Sequence, residues 1–133
     1  MMDAVFYHVL MGVVKALQTL PIRLVAAVGR VVGGAAYFLD WRHRRVACEN
    51  LRQCFPEKSD CERRSIVREH FRRLGENFAS GITTAGMSDA QIAPHLEIVG
   101  AEKLRQHPEG AIVAIGHFGN FELYTHLSSS VPH

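Results

Sequence analysis

Residues 4–39 are strongly apolar, yet Lys15, Arg23 and Arg30 divide them. Such a stretch must find shelter from water, and its cations limit how. The longest uncharged piece is Ala4–Val14, short of the ~20 apolar residues that cross hydrocarbon as a helix. None of the pieces therefore spans cleanly by itself. Asp3 stands where a secretory signal would carry a basic start, and no convincing cleavage site follows. Arg23 and Arg30 are seven apart, close to two helical turns, so both lie near one face. Leu24, Val28, Val31 and Leu39 can then form a broad apolar face. Gly29, Gly33 and Gly34 either permit close helix contact or weaken the helix; the sequence leaves both open.

Trp41-Arg42-His43-Arg44-Arg45 follows directly. An aromatic and a basic cluster after an apolar segment mark a membrane–cytosol boundary, with the cations on the cytosolic side. A soluble helical hairpin with a charged turn is the competing reading. Charge is uneven along the chain. Residues 42–74 hold ten basic and five acidic side chains, and residues 75–133 hold two basic and six acidic, so a net charge of +2 hides a basic middle and an acidic end. One tryptophan and no binding module argue against nucleic acid as the partner. With 47% hydrophobic and 21% charged residues, the chain is too apolar for disorder and too charged for a multi-span membrane protein. Cys48, Cys54 and Cys61 are odd in number without a Cys-x-x-Cys, so neither a disulfide framework nor a zinc site is expected.

The middle reads as helices. Arg44–Phe55 is a short one stopped by Pro56. Ser59 and Glu62 form a capping box. From there Val67, Phe71, Leu74, Phe78 and Ile82 share one face of a helix of about 20 residues. Arg63, Arg64, Arg68, Arg72 and Arg73 cover much of the rest, and Glu69 can pair with Arg73 at i,i+4. His70 lies beside the apolar stripe, where a structural role is expected.

After Gly86 the pattern changes. Ser88–His95 reads as a short helix, Leu96–Val99 as strand-like, Ala101–Gln106 as helical and Pro108-Glu109-Gly110 as a turn. Ala111–Ile115 is a continuous apolar run, as expected of a buried parallel strand. Gly116-His117-Phe118-Gly119-Asn120-Phe121-Glu122 comes next, then a helical-looking Leu123–Leu127. A loop at the carboxyl end of a strand is where open α/β sheets place their sites. His117 and Glu122 are five apart, so a carboxylate one turn into the helix can fold back to the imidazole. An imidazole so held is a general base of fixed tautomer. With no serine in the pattern, the nucleophile would be a substrate hydroxyl. Gly119 and Asn120 are the candidate substrate-binding positions, where glycine lets a ligand approach the backbone and free N–H groups can hold an oxyanion or phosphate. A metal pair lacks a third ligand at useful spacing, and a helix-capping, structural His117 is the plain alternative.

The His117–Glu122 block resembles the first acyltransferase motif of the bacterial lipid A acyltransferase family. That family lies within the wider glycerolipid and lysophospholipid acyltransferase group, whose motif is His-x4-Asp/Glu. Upstream, Asn50-Leu51-Arg52-Gln53-Cys54-Phe55-Pro56 resembles the family's Asn-Leu-x-x-Cys-Phe-Pro segment, and Arg68–Asn77 resembles its next helix. The match runs over roughly residues 20–127.

The resemblance implies an enzyme on the cytosolic face of the bacterial inner membrane. It would move a fatty acyl chain from acyl-acyl carrier protein, or acyl-CoA, to a hydroxyl of a lipid A precursor or related lipid. His117 would take the hydroxyl proton and Glu122 would orient and charge-stabilise His117, with no metal or organic cofactor. The expected fold class is α/β: membrane-associated helices in 1–41, basic amphipathic helices in 42–87, and the first strands and helices of an incomplete catalytic domain in 88–133. The family's later blocks have no counterpart here, so an N-terminal fragment is expected. Two alternatives remain: a non-catalytic membrane-surface binding module, and a hydrolase. Against the hydrolase stands the lack of a Gly-x-Ser-x-Gly elbow.

Overall fold

The computed structural model describes residues 2–100, 102–103, 106, 112 and 114–126. Its helices run in the order α1 (Met2–Thr19), α2 (Ile22–Leu39), α3 (Trp41–Cys54), α4 (Asp60–Thr84) and the short α5 (Asp89–Ile92). Two 3₁₀ turns follow, at Ala93–His95 and Phe121–His126.

The breaks between helices have local causes. Pro21 separates α1 from α2: its carbonyl accepts from Leu24 N at 2.8 Å, and proline lacks the N–H that a continuing helix would need. A single residue, Asp40, joins α2 to α3. Its N–H still closes α2 on Ala36 O (2.8 Å) while its carboxylate caps His43 N (3.1 Å). Arg44 donates to Tyr37 O at 2.8 Å, satisfying a carbonyl in the last turn of α2. The Ser59–Glu62 capping box is made in both directions, with Ser59 N donating to Glu62 at 2.8 Å and Glu62 N to Ser59 Oγ at 3.3 Å. The Ser59 hydroxyl, donating to the Glu62 carboxylate at 2.6 Å, and then the Ser59 N–H hold that carboxyl below its usual range. Ser88 and Gln91 repeat the device at α5 (2.9 Å).

Tertiary structure centres on the pairing of α2 with α4. Gly29 and Gly33 on α2 face Gly75 on α4. A Cβ on Gly75 would stand 2.8 Å from Gly33 Cα, one on Gly29 would stand 2.6 Å from Ala79 Cβ, and one on Gly33 would overlap the Phe71 carbonyl. Small residues one turn apart let the two backbones touch. The question the sequence left open is thereby answered for Gly29 and Gly33: they are contact residues. Beside them Tyr37, Val67 and Phe71 are buried together, with Ala36, Ala47, Cys48 and Leu51 packed around them. The Tyr37 and Phe71 rings meet edge-on, centroids 5.8 Å apart. Each such burial contributes about 1.5–3 kcal/mol.

Arg30 completes this interface. It bonds Glu69 at 2.8 Å and Glu76 at 3.1 Å, and Arg73 bonds the same two carboxylates at 3.0 and 3.1 Å. The expected Glu69–Arg73 pair is thus part of a four-member network. The Glu69 carboxyl is held below its ordinary range, chiefly by its hydrogen bonds to Arg30.

Two expectations are corrected. The apolar stripe of α4 does not bury as one face. Val67 and Phe71 do, while Leu74, Phe78 and Ile82 are 41, 69 and 37% exposed. The reason is that α2 crosses against Val67, Phe71 and Gly75, and the stripe winds away from that line.

The second correction is the fold class. The described residues are helical or irregular and contain no strand, so the expected α/β domain is not what forms. Leu96 is locally extended (φ −111°, ψ 131°), but its N–H bonds Ala93 O (3.2 Å) and not a neighbouring strand. Within the run Ala111–Ile115, Ile112, Ala114 and Ile115 are exposed and unladdered; Ala111 and Val113 lie outside the described residues. An apolar run becomes a parallel strand only when another strand takes up its N–H and C=O groups. No described segment does so here. Pro108-Glu109-Gly110 and half of Ala101–Gln106 also fall outside the described residues.

Candidate functional site

The segment carrying His117 turns tightly. Phe118 N bonds Gly116 O (2.8 Å), and Gly119 takes φ +62°, which glycine adopts without a Cβ penalty. Leu123 N then bonds Asn120 O (3.2 Å), starting the 3₁₀ turn Phe121–His126 that carries Glu122. The His117 ring lies on Phe121, centroids 4.3 Å apart and tilted by 53°. Asn120 is half-buried. Its Oδ1 is 3.8 Å from where a Cβ on Gly81 would stand, so the segment leans on the last turns of α4.

Between this segment and α4 is an open cavity of about 1170 Å³. His117, Gly119, Asn120 and Glu122 all line it, so the four residues expected to carry chemistry share one space. The opposite wall is the part of α4 that α2 leaves uncovered. Ile66, Leu74, Phe78 and Ile82 supply apolar surface, and Glu69, His70, Arg73 and Asn77 supply polar atoms. The exposed half of the α4 stripe is therefore the floor of a groove.

Sequence reasoning gave His70 only a structural role and assigned none to Asn77. Their spacing was the available signal: 66, 70, 73 or 74, 77 and 81 follow one another up a single helical face. Chemically, the arrangement sets an imidazole and a carboxylate at the rim of an apolar trough. That suits a substrate with a long apolar part and a reacting polar end. Among the described residues no three His, Cys, Asp or Glu side chains gather as a metal site.

Comparison with known proteins places most of the chain in one family. Residues 2–128 match the family model described as bacterial lipid A biosynthesis acyltransferase. The chain is 32% identical over 119 residues to the lipid A biosynthesis lauroyltransferase of Escherichia coli (strain K12), covering 84% of this chain and 38% of that protein. It is 28% identical over 120 residues to the same organism's lipid A biosynthesis palmitoleoyltransferase, covering 85% and 38%. A lipid A biosynthesis acyltransferase of Haemophilus influenzae is 29% identical over 116 residues, covering 82% and 36%. The chain thus spans under two fifths of the length of these relatives. No solved structure matches it significantly. By the extent of the family match, this chain belongs to the bacterial lipid A biosynthesis acyltransferase family.

Proposed function

We propose that this chain supplies the membrane-facing helices and the catalytic base of a lipid acyltransferase. The enzyme would act at the cytosolic face of the bacterial inner membrane, on a hydroxyl of a lipid A precursor or related glycolipid. The donor is a fatty acyl thioester, on acyl carrier protein or CoA. The observation that carries this reading is the meeting of His117 and Glu122 with the apolar wall of α4 across one groove.

In the proposed reaction, His117 takes the proton of the acceptor hydroxyl. The oxygen attacks the thioester carbonyl, a C–O bond forms, and the C–S bond breaks as the tetrahedral intermediate collapses. The imidazolium returns its proton to the departing sulfur. Glu122 orients the imidazole and stabilises its charged form. Gly119 and Asn120 line the approach of the substrate, with backbone N–H groups available to the developing oxyanion.

The test is His117→Ala in a form extending over the family's full length, assayed for transfer of labelled acyl chain to a lipid A precursor. Removing a general base lowers turnover by about 10²–10⁴-fold, while co-sedimentation with membranes stays unchanged. Turnover near the parent's would remove His117 as the base. Release of free fatty acid without an acceptor would favour hydrolysis over transfer.

A further inference from the structure

A second cavity, of about 280 Å³, lies on the other side of α4. One wall is α2, through Arg30, Val31, Gly34, Ala35 and Phe38; the other is Arg68 and Arg72 of α4. These arginines are one turn apart and point away from the groove lined by His70, Leu74 and Phe78. Of the other arginines of this helix pair, Arg30 and Arg73 are neutralised by Glu69 and Glu76 and Arg63 pairs with Asp60, while Arg23 and Arg64 lie outside the cleft. Among the described residues, Arg68 and Arg72 form no ion pair. Arg68 is positioned by rings instead, its guanidinium 5.3 Å from the centroid of Tyr37 and 5.6 Å from that of Phe38. A cation over an aromatic face keeps its charge and its N–H donors for another partner.

The cleft opens onto the apolar outer face of α2. Val31, Val32, Phe38 and Leu39 there are 61–82% exposed. α2 is the one described helix long and apolar enough to cross a membrane. Yet its Gly29–Gly33 face is held against charged α4, so only its other face is available to lipid. We infer that the α2–α4 cleft binds the phosphodiester headgroup of an anionic phospholipid, with Arg68 and Arg72 on the phosphate and the acyl chains along Val31, Phe38 and Leu39. Two forked donors one turn apart match phosphate oxygens, and an apolar wall beside them matches an amphiphile better than a free anion. The inference rests on the membrane placement proposed above but not on the reaction.

The test is flotation of the whole chain with vesicles of phosphatidylcholine alone and of phosphatidylcholine with 30% phosphatidylglycerol. The parent floats with both and prefers the anionic vesicles. Arg68→Gln/Arg72→Gln reduces that preference by about tenfold or more, as two cations at an anionic surface imply. Arg52→Gln/Lys103→Gln, which removes equal charge elsewhere, changes it less than twofold. Arg72→Gln alone leaves the Arg68 ring contacts intact and still lowers the preference. Ala35→Phe, which fills the cleft without altering charge, lowers it as well. Equal losses in the control pair, or none in Ala35→Phe, would mean diffuse attraction and overturn the site. Displacement by 10 mM inorganic phosphate would make it a free-anion site and overturn the lipid assignment. Failure to float with either vesicle overturns this site together with the membrane placement, whereas flotation with both and no preference overturns this site alone.

Discussion

The two faces of α4 do different things. One, through Val67, Phe71, Gly75 and Ala79, is matched to α2 by backbone contact, ring packing and a four-member ion network. The other faces the His117 segment across open space, with Phe78 69% and Phe118 91% exposed. The first region is built from what this chain holds. The second is a surface waiting for matter to lie along it. One helix thus serves as strut on one side and trough floor on the other, because its apolar stripe drifts off the line of α2.

Four changes would break or sharpen this contrast. The largest effect belongs to the open side and leaves the packed side alone: His117→Ala should cost acyl transfer about 10²–10⁴-fold. Because His117 is exposed, thermal unfolding should move by no more than about 0.5 kcal/mol. A large loss of stability would show that His117 is structural.

On the packed side, Gly33→Leu places side-chain atoms against the Phe71 carbonyl and should destabilise by about 3 kcal/mol, read by urea unfolding. Gly116, with nothing within 4 Å of an added Cβ, should accept alanine with a far smaller change. Equal effects at both glycines would erase the distinction between the regions.

Arg30→Met should lower Tm by less than Gly33→Leu, since Arg73 still serves Glu69 and Glu76. Its pH dependence has a definite sign. The folded Glu69 carboxyl sits below its ordinary 4.5, so its contribution is full above about pH 4.5 and is lost as pH falls below that. The Tm gap between parent and variant should therefore narrow in acid. A gap that widens there would contradict the network.

The smallest effect is at a helix start: Ser59→Ala removes the cap of α4 and should cost about 1 kcal/mol. Measured by hydrogen exchange, the loss should concentrate in the first turns of α4 and spare the His117 side.

Several of these features were legible without coordinates. The Ser59–Glu62 box, the stop at Pro56, the Glu69–Arg73 pair and the helix beginning at Asp60 follow from contacts within four residues, and neighbours so close in sequence are set by the chain itself. The His117–Glu122 block stands out in the sequence by its glycines and spacing, which lie along one stretch. Leu96–Val99 and the described residues of Ala111–Ile115 form no strand for the complementary reason. A helix closes its own hydrogen bonds, whereas a strand borrows a partner's, and composition cannot report whether the partner is there.

By itself, the sequence determined the stop of α3 before Pro56, the start of α4 after Ser59, the family, and which residues could carry chemistry. Only the tertiary structure decided that Gly29 and Gly33 are contacts, that Arg30 is shared between two carboxylates, and that Leu74, Phe78 and Ile82 floor a groove. Each of those depends on the angle at which α4 meets α2, and that angle arises from shape matching between residues some forty positions apart.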